Sequence, residues 1–147
     1  MTAKLEQSEI DQLLRESGTG VLALTNGSEA YSIPESFGYD GEALHFQFVF
    51  DEDSKKMAFL ETTGTASFTV YTSNPAKSVI VSGPIERVPE TEQTVAATAV
   101  AENAEIPTLN TDPEIPPQEL DLAFYRLVPH DISGRKLQDV ASRQPTP

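Results

Sequence analysis

The chain has 147 residues, a length typical of one domain with its own apolar core, and it contains no cysteine. The lack of cysteine excludes zinc fingers, thiol nucleophiles and disulfide scaffolds, and it favours a cytoplasmic protein. The net charge of −13 at pH 7 argues against binding to nucleic acid, because a phosphate backbone requires a clustered cationic surface.

Two interpretations of the acidity compete: a specific basic partner, or solubility in concentrated salt. At about 1 M salt the Debye length falls to ~3 Å, so an acidic surface no longer repels itself. The acidic residues are scattered and lysine is scarce, which favours the second interpretation and a halophilic source. The N-terminal segment lacks the pattern of a secretory signal, and no apolar run approaches the ~20 residues of a membrane span, so we expect no membrane partner.

The first part of the chain predicts a helix followed by strands that tight turns connect. We expect a helix over about residues 8–17, capped by Ser8, because apolar residues recur there at helical spacing. A short strand, "VLALT", leads to Asn26-Gly27, which is typical of two-residue hairpin turns. The alternating segment that follows contains Pro34, which predicts an edge, a bulge or a break in that strand. Asp40-Gly41 predicts a second hairpin.

The middle of the chain predicts three strands and a short helix. Residues 44–50 alternate large apolar with mostly polar side chains, the clearest strand pattern in the sequence. We expect Asp53 or Ser54 to cap a short helix that runs to about Glu61. Residues 66–70 and the segment "KSVIVSGPIERV" predict two more strands, the second with a break or bulge at Gly83-Pro84.

The last part of the chain predicts a helix over residues 90–103, a proline-rich loop over 104–119 and a strand, "LAFYRLV". A polar tail is expected after this strand, and residues 136–147 are predicted to be flexible. The order of elements predicts a single domain over residues 1–147. Its class is mainly β, with antiparallel strands and short helices that close a small barrel.

Two adjacent lysines, Lys55 and Lys56, stand at the start of the predicted short helix. A helix N-terminus carries partial positive charge, so each lysine is unfavourable there by ~0.3–1 kcal/mol. The position becomes favourable when a phosphate docks on the free N–H groups, the Ser54 hydroxyl and the ammonium groups. Alternatively, both lysines pair with the acids at residues 51–53. The aromatic-rich strand immediately before the helix favours a planar cofactor with a phosphate.

The chain resembles a known family through four segments in order: "GVLALTNGSEAYSIPESFGYDGEALHFQF", "SKKMAFLE", "ASFTVY" and "KSVIVSGPIERV". They resemble the FMN-binding split barrels of the pyridoxamine 5′-phosphate oxidase-like superfamily, over about residues 8–135. The resemblance implies a six-stranded antiparallel Greek-key split barrel with short flanking helices. It also implies FMN as the cofactor and a homodimer with two flavin sites at its interface.

The resemblance further implies roles for individual residues. The "SKK" element would hold the FMN phosphate, and the strand at residues 33–35 would lie along the isoalloxazine ring. The strand end at residues 48–49 would pack beside the ring, and Ser78 would reach the cofactor from the partner subunit or beside it. The flavin-binding residues expected in this way are Ile33, Pro34, Glu35, Phe48, Val49, Ser54, Lys55, Lys56 and Ser78.

The vitamin B6 oxidases of the superfamily carry basic residues on the strand that reads "AYSIPE" here, and a tryptophan near the C-terminus. This chain has no tryptophan and no Lys or Arg between Arg15 and Lys55, so the resemblance does not extend to pyridoxine phosphate oxidation. We expect an FMN-dependent oxidoreductase that uses NADH or NADPH or reduces a small oxidised substrate. No catalytic side chain is assigned, because the cofactor itself accepts the hydride. The alternatives are a protein that only holds flavin, and a split barrel that binds a deazaflavin or haem.

Two further features of the sequence have both a functional and an ordinary interpretation. His45, on the predicted strand 44–50, either lines the ligand pocket or is an ordinary strand histidine. The basic group Gly134-Arg135-Lys136 either approaches the flavin in a dimer or pairs with surface acids. The chain has only two histidines, far apart in sequence, and we therefore predict no metal site.

Overall fold

The computed structural model describes residues 1–103, 114 and 121–137. Within these residues, no helix combines the length and the apolar character that crossing a membrane requires. The elements in chain order are β1 (Thr2–Lys4), α1 (Gln7–Glu16), β2 (Thr19–Asn26), β3 (Glu29–Ser36), β4 (Gly38–Tyr39), β5 (Leu44–Phe50), α2 (Lys55–Thr62), β6 (Ala66–Ser73), β7 (Ala76–Gly83), β8 (Ile85–Arg87), a 3-10 turn (Glu90–Glu92), α3 (Gln93–Asn103), β9 (Asp121–Leu127) and β10 (Asp131–Leu137).

The strands form two antiparallel sheets that share two corners. The larger sheet has the order β1-β10-β7-β6-β2-β3, and the smaller has the order β4-β5-β9-β8. One residue, Phe37, separates β3 from β4, and one residue, Pro84, separates β7 from β8. Each edge strand of the smaller sheet therefore continues a strand of the larger one. This mainly-β architecture with short helices is that of a split barrel, and it confirms the predicted fold class.

Several local predictions are confirmed. The β2–β3 turn has Gly27 at a φ of 59°, and the β4–β5 turn has Gly41 at a φ of 96°, a backbone region that favours glycine. Pro34 lies on β3, which is an edge strand of the larger sheet, as expected for a residue without a backbone N–H group. The strand is interrupted three residues later, at Phe37. Ser54 is the N-cap of α2, and the predicted break at Gly83-Pro84 is the second corner.

An aromatic cluster joins the two sheets across the interior. Phe37 at the first corner, Phe46 of β5 and Phe68 of β6 are fully buried. The ring of Phe68 lies 4.9 Å from that of Phe37 and 5.2 Å from that of Phe46, centroid to centroid, in edge-on geometry. Burying one such side chain stabilises the fold by roughly 1.5–3 kcal/mol. The three rings thereby fix the angle between the sheets.

The predicted cap of the first helix is wrong by two residues. Helix α1 begins at Gln7 with Glu6 as its N-cap, and Ser8 is inside the first turn. The backbone N–H of Glu6 donates to the Glu9 carboxylate at 2.9 Å. Glu9 thus supplies the reciprocal half of a capping box, and the helix begins earlier than a serine cap would set it.

The predicted polar tail is also wrong for residues 131–137, which form β10. This strand lies inside the larger sheet, between β1 and β7. Its sequence shows little apolar alternation because an inward position is Gly134, where an added Cβ would lie 3.0 Å from atoms of Leu5 and Ile10. These two side chains fill the space that an apolar residue of β10 would otherwise occupy. Residues 138–147 and most of the predicted loop 104–119 lie outside the described residues.

We predict that Gly38→Ala destabilises the protein, because a Cβ at this position of β4 would overlap the backbone of Ala99 and Val100 in α3. Overpacking of this kind costs about 1–3 kcal/mol of unfolding free energy. Urea unfolding would measure the loss, with Gly64→Ala as the control, since nothing lies within 4 Å of a Cβ there. Equal midpoints for the two variants would show that α3 does not pack on β4 in solution.

Candidate functional site

The turn that precedes α2 leaves the start of this helix open to an anion. The N–H of Asp53 donates to the side chain of Asp51 at 2.7 Å, and the N–H of Ser54 donates to the Asp51 carbonyl at 3.2 Å. The first intrahelical bond runs from the Ala58 N–H to the Ser54 carbonyl at 3.3 Å. The N–H groups of residues 55–57 consequently have no carbonyl partner within the helix. The Ser54 side chain makes no capping bond, and the first turn contains no acidic residue.

The two lysines at this helix start point in different directions, because successive helical residues diverge by about 100°. Lys56 is only 5% exposed, and its Nζ lies 3.3 Å from Oε1 of Glu35, which is itself buried. The same ammonium lies 4.9 Å from the centroid of the Phe48 ring. The ion pair therefore connects α2 to β3 inside the barrel.

Lys55 is exposed and lies over an aromatic pair. Its Nζ is 4.9 Å from the centroid of the Tyr31 ring and 5.9 Å from that of the Phe59 ring. The two rings stack at 5.1 Å, so the ammonium rests on a rigid apolar surface with its outer side in solvent. The alternative in which both lysines pair with the acids at 51–53 is not what the structure shows, since Lys56 pairs with Glu35 and Lys55 lies over Tyr31.

The other residues predicted on β3 and β5 fall on two faces. Ile33, Glu35 and Phe48 are buried, and Phe48 stacks on Phe46 at 5.7 Å. Pro34 is exposed and Val49 is half-buried. The structure therefore brings Glu35, Phe48 and Lys56 together inside the barrel, with Ser54 and Lys55 at the adjoining surface.

Ser78 is not part of this group within one chain. It lies on β7, and β6 and β2 separate it from β3 in the sheet. Three strand spacings place it about 14 Å away across the sheet. Ser78 instead lies opposite Tyr71 of β6 and Arg135 of β10. It lines a surface cavity of about 470 Å³, which also includes Lys77 and Lys136.

The cavity beside Ser78 contains cationic residues that were not among the predicted flavin-binding residues. Arg135 and Lys136 lie on β10, the strand that was predicted to be a tail. Lys136 donates to Glu9 at 2.8 Å, and this hydrogen bond lowers the pKa of the Glu9 carboxyl. The only feature of the sequence that indicated this cavity was the basic group at residues 134–136 in an otherwise acidic chain.

His45 lies at a third position, beside a cavity of about 370 Å³ on the smaller sheet. It is 3% exposed, and its Nε2 lies 2.7 Å from the Asp40 carboxylate. Burial raises the pKa of Asp40, but hydrogen bonds from the Ala43 N–H, His45 and the Glu42 N–H outweigh burial and lower it. His45 thus lines a cavity and also pairs with the carboxylate of Asp40 in the turn between β4 and β5. Among residues 1–103, 114 and 121–137, no three His, Asp or Glu side chains lie close enough to hold a metal ion.

Comparison with known proteins gives one family and several structural neighbours. The family described as pyridoxamine 5′-phosphate oxidase matches residues 6–136. No curated protein matches the chain at a significant level.

The structural neighbours share the fold at low sequence identity. One is an FAD-binding protein from Mesorhizobium loti, 18% identical, with a TM-score of 0.71 over 95% of this chain and 98% of the neighbour. Another is the FAD-binding protein from Mycobacterium smegmatis, 20% identical, with a TM-score of 0.68 over 93% and 99% of the two chains. The FAD and haem binding protein from the same organism is 14% identical, with a TM-score of 0.67 over 94% and 74%.

We predict that Lys56→Met lowers the unfolding free energy by about 3–5 kcal/mol, because it leaves the Glu35 carboxylate buried without its counter-charge. The double variant Glu35→Gln with Lys56→Met should recover most of this loss, since no buried charge remains. Lys55→Met is the control and should change stability by less than about 1 kcal/mol. Urea unfolding would measure all three. A Lys56→Met variant as stable as the parent would mean that the ion pair does not form in solution.

Proposed function

Because the chain belongs to the pyridoxamine 5′-phosphate oxidase family, we propose that it is a flavoprotein that binds FMN at the start of α2. We further propose that it acts as an FMN-dependent oxidoreductase on a small substrate. The observation that carries the proposal is the donor set at this helix start. It combines the N–H groups of residues 55–57, the Ser54 hydroxyl and the exposed Lys55 ammonium, in a chain with a net charge of −13.

The chemistry of this donor set fits a phosphate dianion. Backbone N–H groups at a helix start point along the axis towards an anion, and the helix dipole adds to their attraction. An ammonium strengthens such a site, since a charge-assisted hydrogen bond contributes about 1.5–3 kcal/mol. The structural neighbours from Mesorhizobium loti and Mycobacterium smegmatis are FAD-binding proteins, which supports a flavin as the ligand. We propose FMN because the site offers one cluster of phosphate donors.

We propose that the isoalloxazine ring lies along residues 33–35 of β3, next to residues 48–49 of β5. This is the position that the family resemblance implies. Pro34 presents an exposed, rigid surface on β3, opposite the half-exposed Val21 of β2. Ile33 and Phe48 are buried, so they would support the ring from within the barrel rather than contact it from solvent. Bound flavin supplies the hydride acceptor, and the residues of the chain bind and orient it.

The phosphate site predicts a preference for FMN over riboflavin. Riboflavin lacks the phosphate, so we expect FMN to bind about ten- to a hundredfold more tightly, with about one FMN per subunit. Quenching of flavin fluorescence during titration measures both affinities, and FAD is titrated in parallel. Equal affinities for FMN and riboflavin would contradict the phosphate site, and binding of FAD alone would contradict the choice of FMN.

The oxidoreductase proposal predicts reduction of the bound FMN by NADH or NADPH faster than reduction of free FMN under the same conditions. Loss of flavin absorbance in a stopped-flow instrument measures the rate, and a small oxidised acceptor would then reoxidise the flavin. Free FMN at equal concentration is the control. A bound flavin that neither nicotinamide reduces, and that no acceptor reoxidises faster than free reduced FMN, would favour a protein that only holds flavin.

We also propose that the chain forms a homodimer through the outer face of the larger sheet. Val21, Tyr71 and Ile80 are 37%, 67% and 41% exposed, although all three are large and apolar. The strand register places Val21 and Ile80 on either side of Thr69, with Tyr71 two residues further along β6. Monomeric proteins rarely leave a large apolar patch in solvent. Association would require salt, because the acidic subunits repel each other when unscreened.

The dimer proposal predicts that Tyr71→Asp and Ile80→Asp each produce a monomer under conditions in which the parent is dimeric. A buried carboxylate without a partner charge is too costly for an interface of this kind. Light scattering at high salt measures the mass, with Val95→Asp on α3 as the control, because the exposure of Val95 lies between those of Ile80 and Tyr71. A parent chain that stays monomeric at high salt would exclude this interface.

A further inference from the structure

The cavity of about 370 Å³ beside His45 lies on the smaller sheet, at a distance from the start of α2. His45 and Phe48 are three residues apart on β5, so their side chains point to opposite faces of this strand. The cavity is therefore separate from the barrel interior, where Phe48 meets the ammonium of Lys56. Its volume lies at the lower end of the range for small-molecule sites, about 300–1,000 Å³.

Acidic side chains dominate the walls of this cavity. One guanidinium, that of Arg126, lines it together with the carboxylates of Asp40, Glu42, Glu86 and Glu92. Arg126 is already shared between Glu86, at 2.7 Å, and Glu92, at 3.3 Å. The excess of negative charge disfavours an anionic ligand and favours a cation. Within the described part of the chain, no three acidic or histidine side chains are placed to hold a metal ion, so an organic cation is the better match.

His45 provides a second observation, which is independent of the charge. Its side chain lines the cavity and is 3% exposed, and among the described residues its Nδ1 has no hydrogen-bond partner. Because the Asp40 carboxylate accepts from the Nε2–H group at 2.7 Å, Nδ1 of the neutral ring carries a lone pair. A buried acceptor without a donor is unfavourable, and an N–H group of a ligand in the cavity would satisfy it.

We propose that this cavity is a binding site for a primary alkylammonium ion. The ammonium group has three N–H donors, and it would donate to Nδ1 of His45 and to the carboxylate of Glu42 in the turn between β4 and β5. The alkyl chain would pack on the apolar part of the lining, which consists of Ala43, Val95 and Val128. The site is separate from the proposed flavin site, so the inference does not depend on FMN.

Titration of the protein with n-butylammonium chloride tests the site, with tetramethylammonium chloride as a cation of equal charge that has no N–H donor. At constant ionic strength, isothermal titration calorimetry should give an affinity for n-butylammonium about tenfold higher or more, because only this cation can donate hydrogen bonds. Equal affinities for the two cations would mean that they only accumulate at an acidic surface, and would overturn the inference.

Nitrogen NMR of the histidine rings gives a direct readout of the proposed contact. The chain has only two histidines, so His130→Gln assigns the resonances. We expect n-butylammonium to shift the Nδ1 resonance of His45, and tetramethylammonium to leave it in place. A parent protein in which n-butylammonium does not shift this resonance would contradict the contact.

Two variants test the site residue by residue. His45→Gln keeps a donor for Asp40 near the position of Nε2 but has no acceptor at the position of Nδ1, so n-butylammonium should bind about two- to tenfold more weakly. Glu42→Gln removes an exposed carboxylate of the cavity and should weaken binding up to about fivefold. Glu29→Gln, at an exposed position of β3, is the matched control and should bind like the parent.

Thermal unfolding establishes which variants are folded at the titration temperature. Unchanged affinity in a folded His45→Gln variant would overturn the inference. An equal fall in Glu42→Gln and Glu29→Gln would assign the effect to the overall charge of the chain and would also overturn it. If His45→Gln does not fold, the comparison of Glu42→Gln with Glu29→Gln and the Nδ1 resonance of the parent decide the question.

Discussion

The buried ion pair between Lys56 and Glu35 is the interaction on which the arrangement of the candidate site depends. It joins the first turn of α2 to β3, 21 residues earlier in the chain, with both side chains almost excluded from solvent. Removing one partner of such a buried pair destabilises the fold by about 3–5 kcal/mol. The pair therefore holds the first turn of α2 against β3, while the exposed neighbour Lys55 faces the solvent.

The rest of the fold supplies the frame for this pair. The larger sheet turns two corners, at Phe37 and Pro84, and its strands continue as the edges of the smaller sheet. The cluster of Phe37, Phe46 and Phe68 keeps the sheets at a fixed angle, and Phe48 extends it to the ammonium of Lys56. A second polar region, around Ser78, lies across the sheet from the α2 site. In the dimer that we propose, the exposed face with Tyr71 is the docking surface.

Much of the fold could be predicted because the signals are local. The alternation over 44–50, the two glycine turns and the cap at Ser54 each depend on a few neighbouring residues. Strand β10 could not be predicted, because its inward position is Gly134 and the apolar side chains beside it come from Leu5 and Ile10. The pairing of Lys56 with Glu35 could not be predicted from the sequence either, because the two residues meet only when the fold brings β3 and α2 together. The sequence therefore indicated both lysines as a phosphate site and gave no means of distinguishing their roles.

The central claim is that this split barrel carries FMN, and identification of the chromophore in the purified protein tests it most directly. The protein is isolated under non-denaturing conditions at high salt and then denatured, and the released compound is identified by absorbance and mass. Our account predicts a yellow protein that releases about one FMN per subunit. A colourless protein that takes up no added FMN, or one that releases a haem or a deazaflavin, would contradict it.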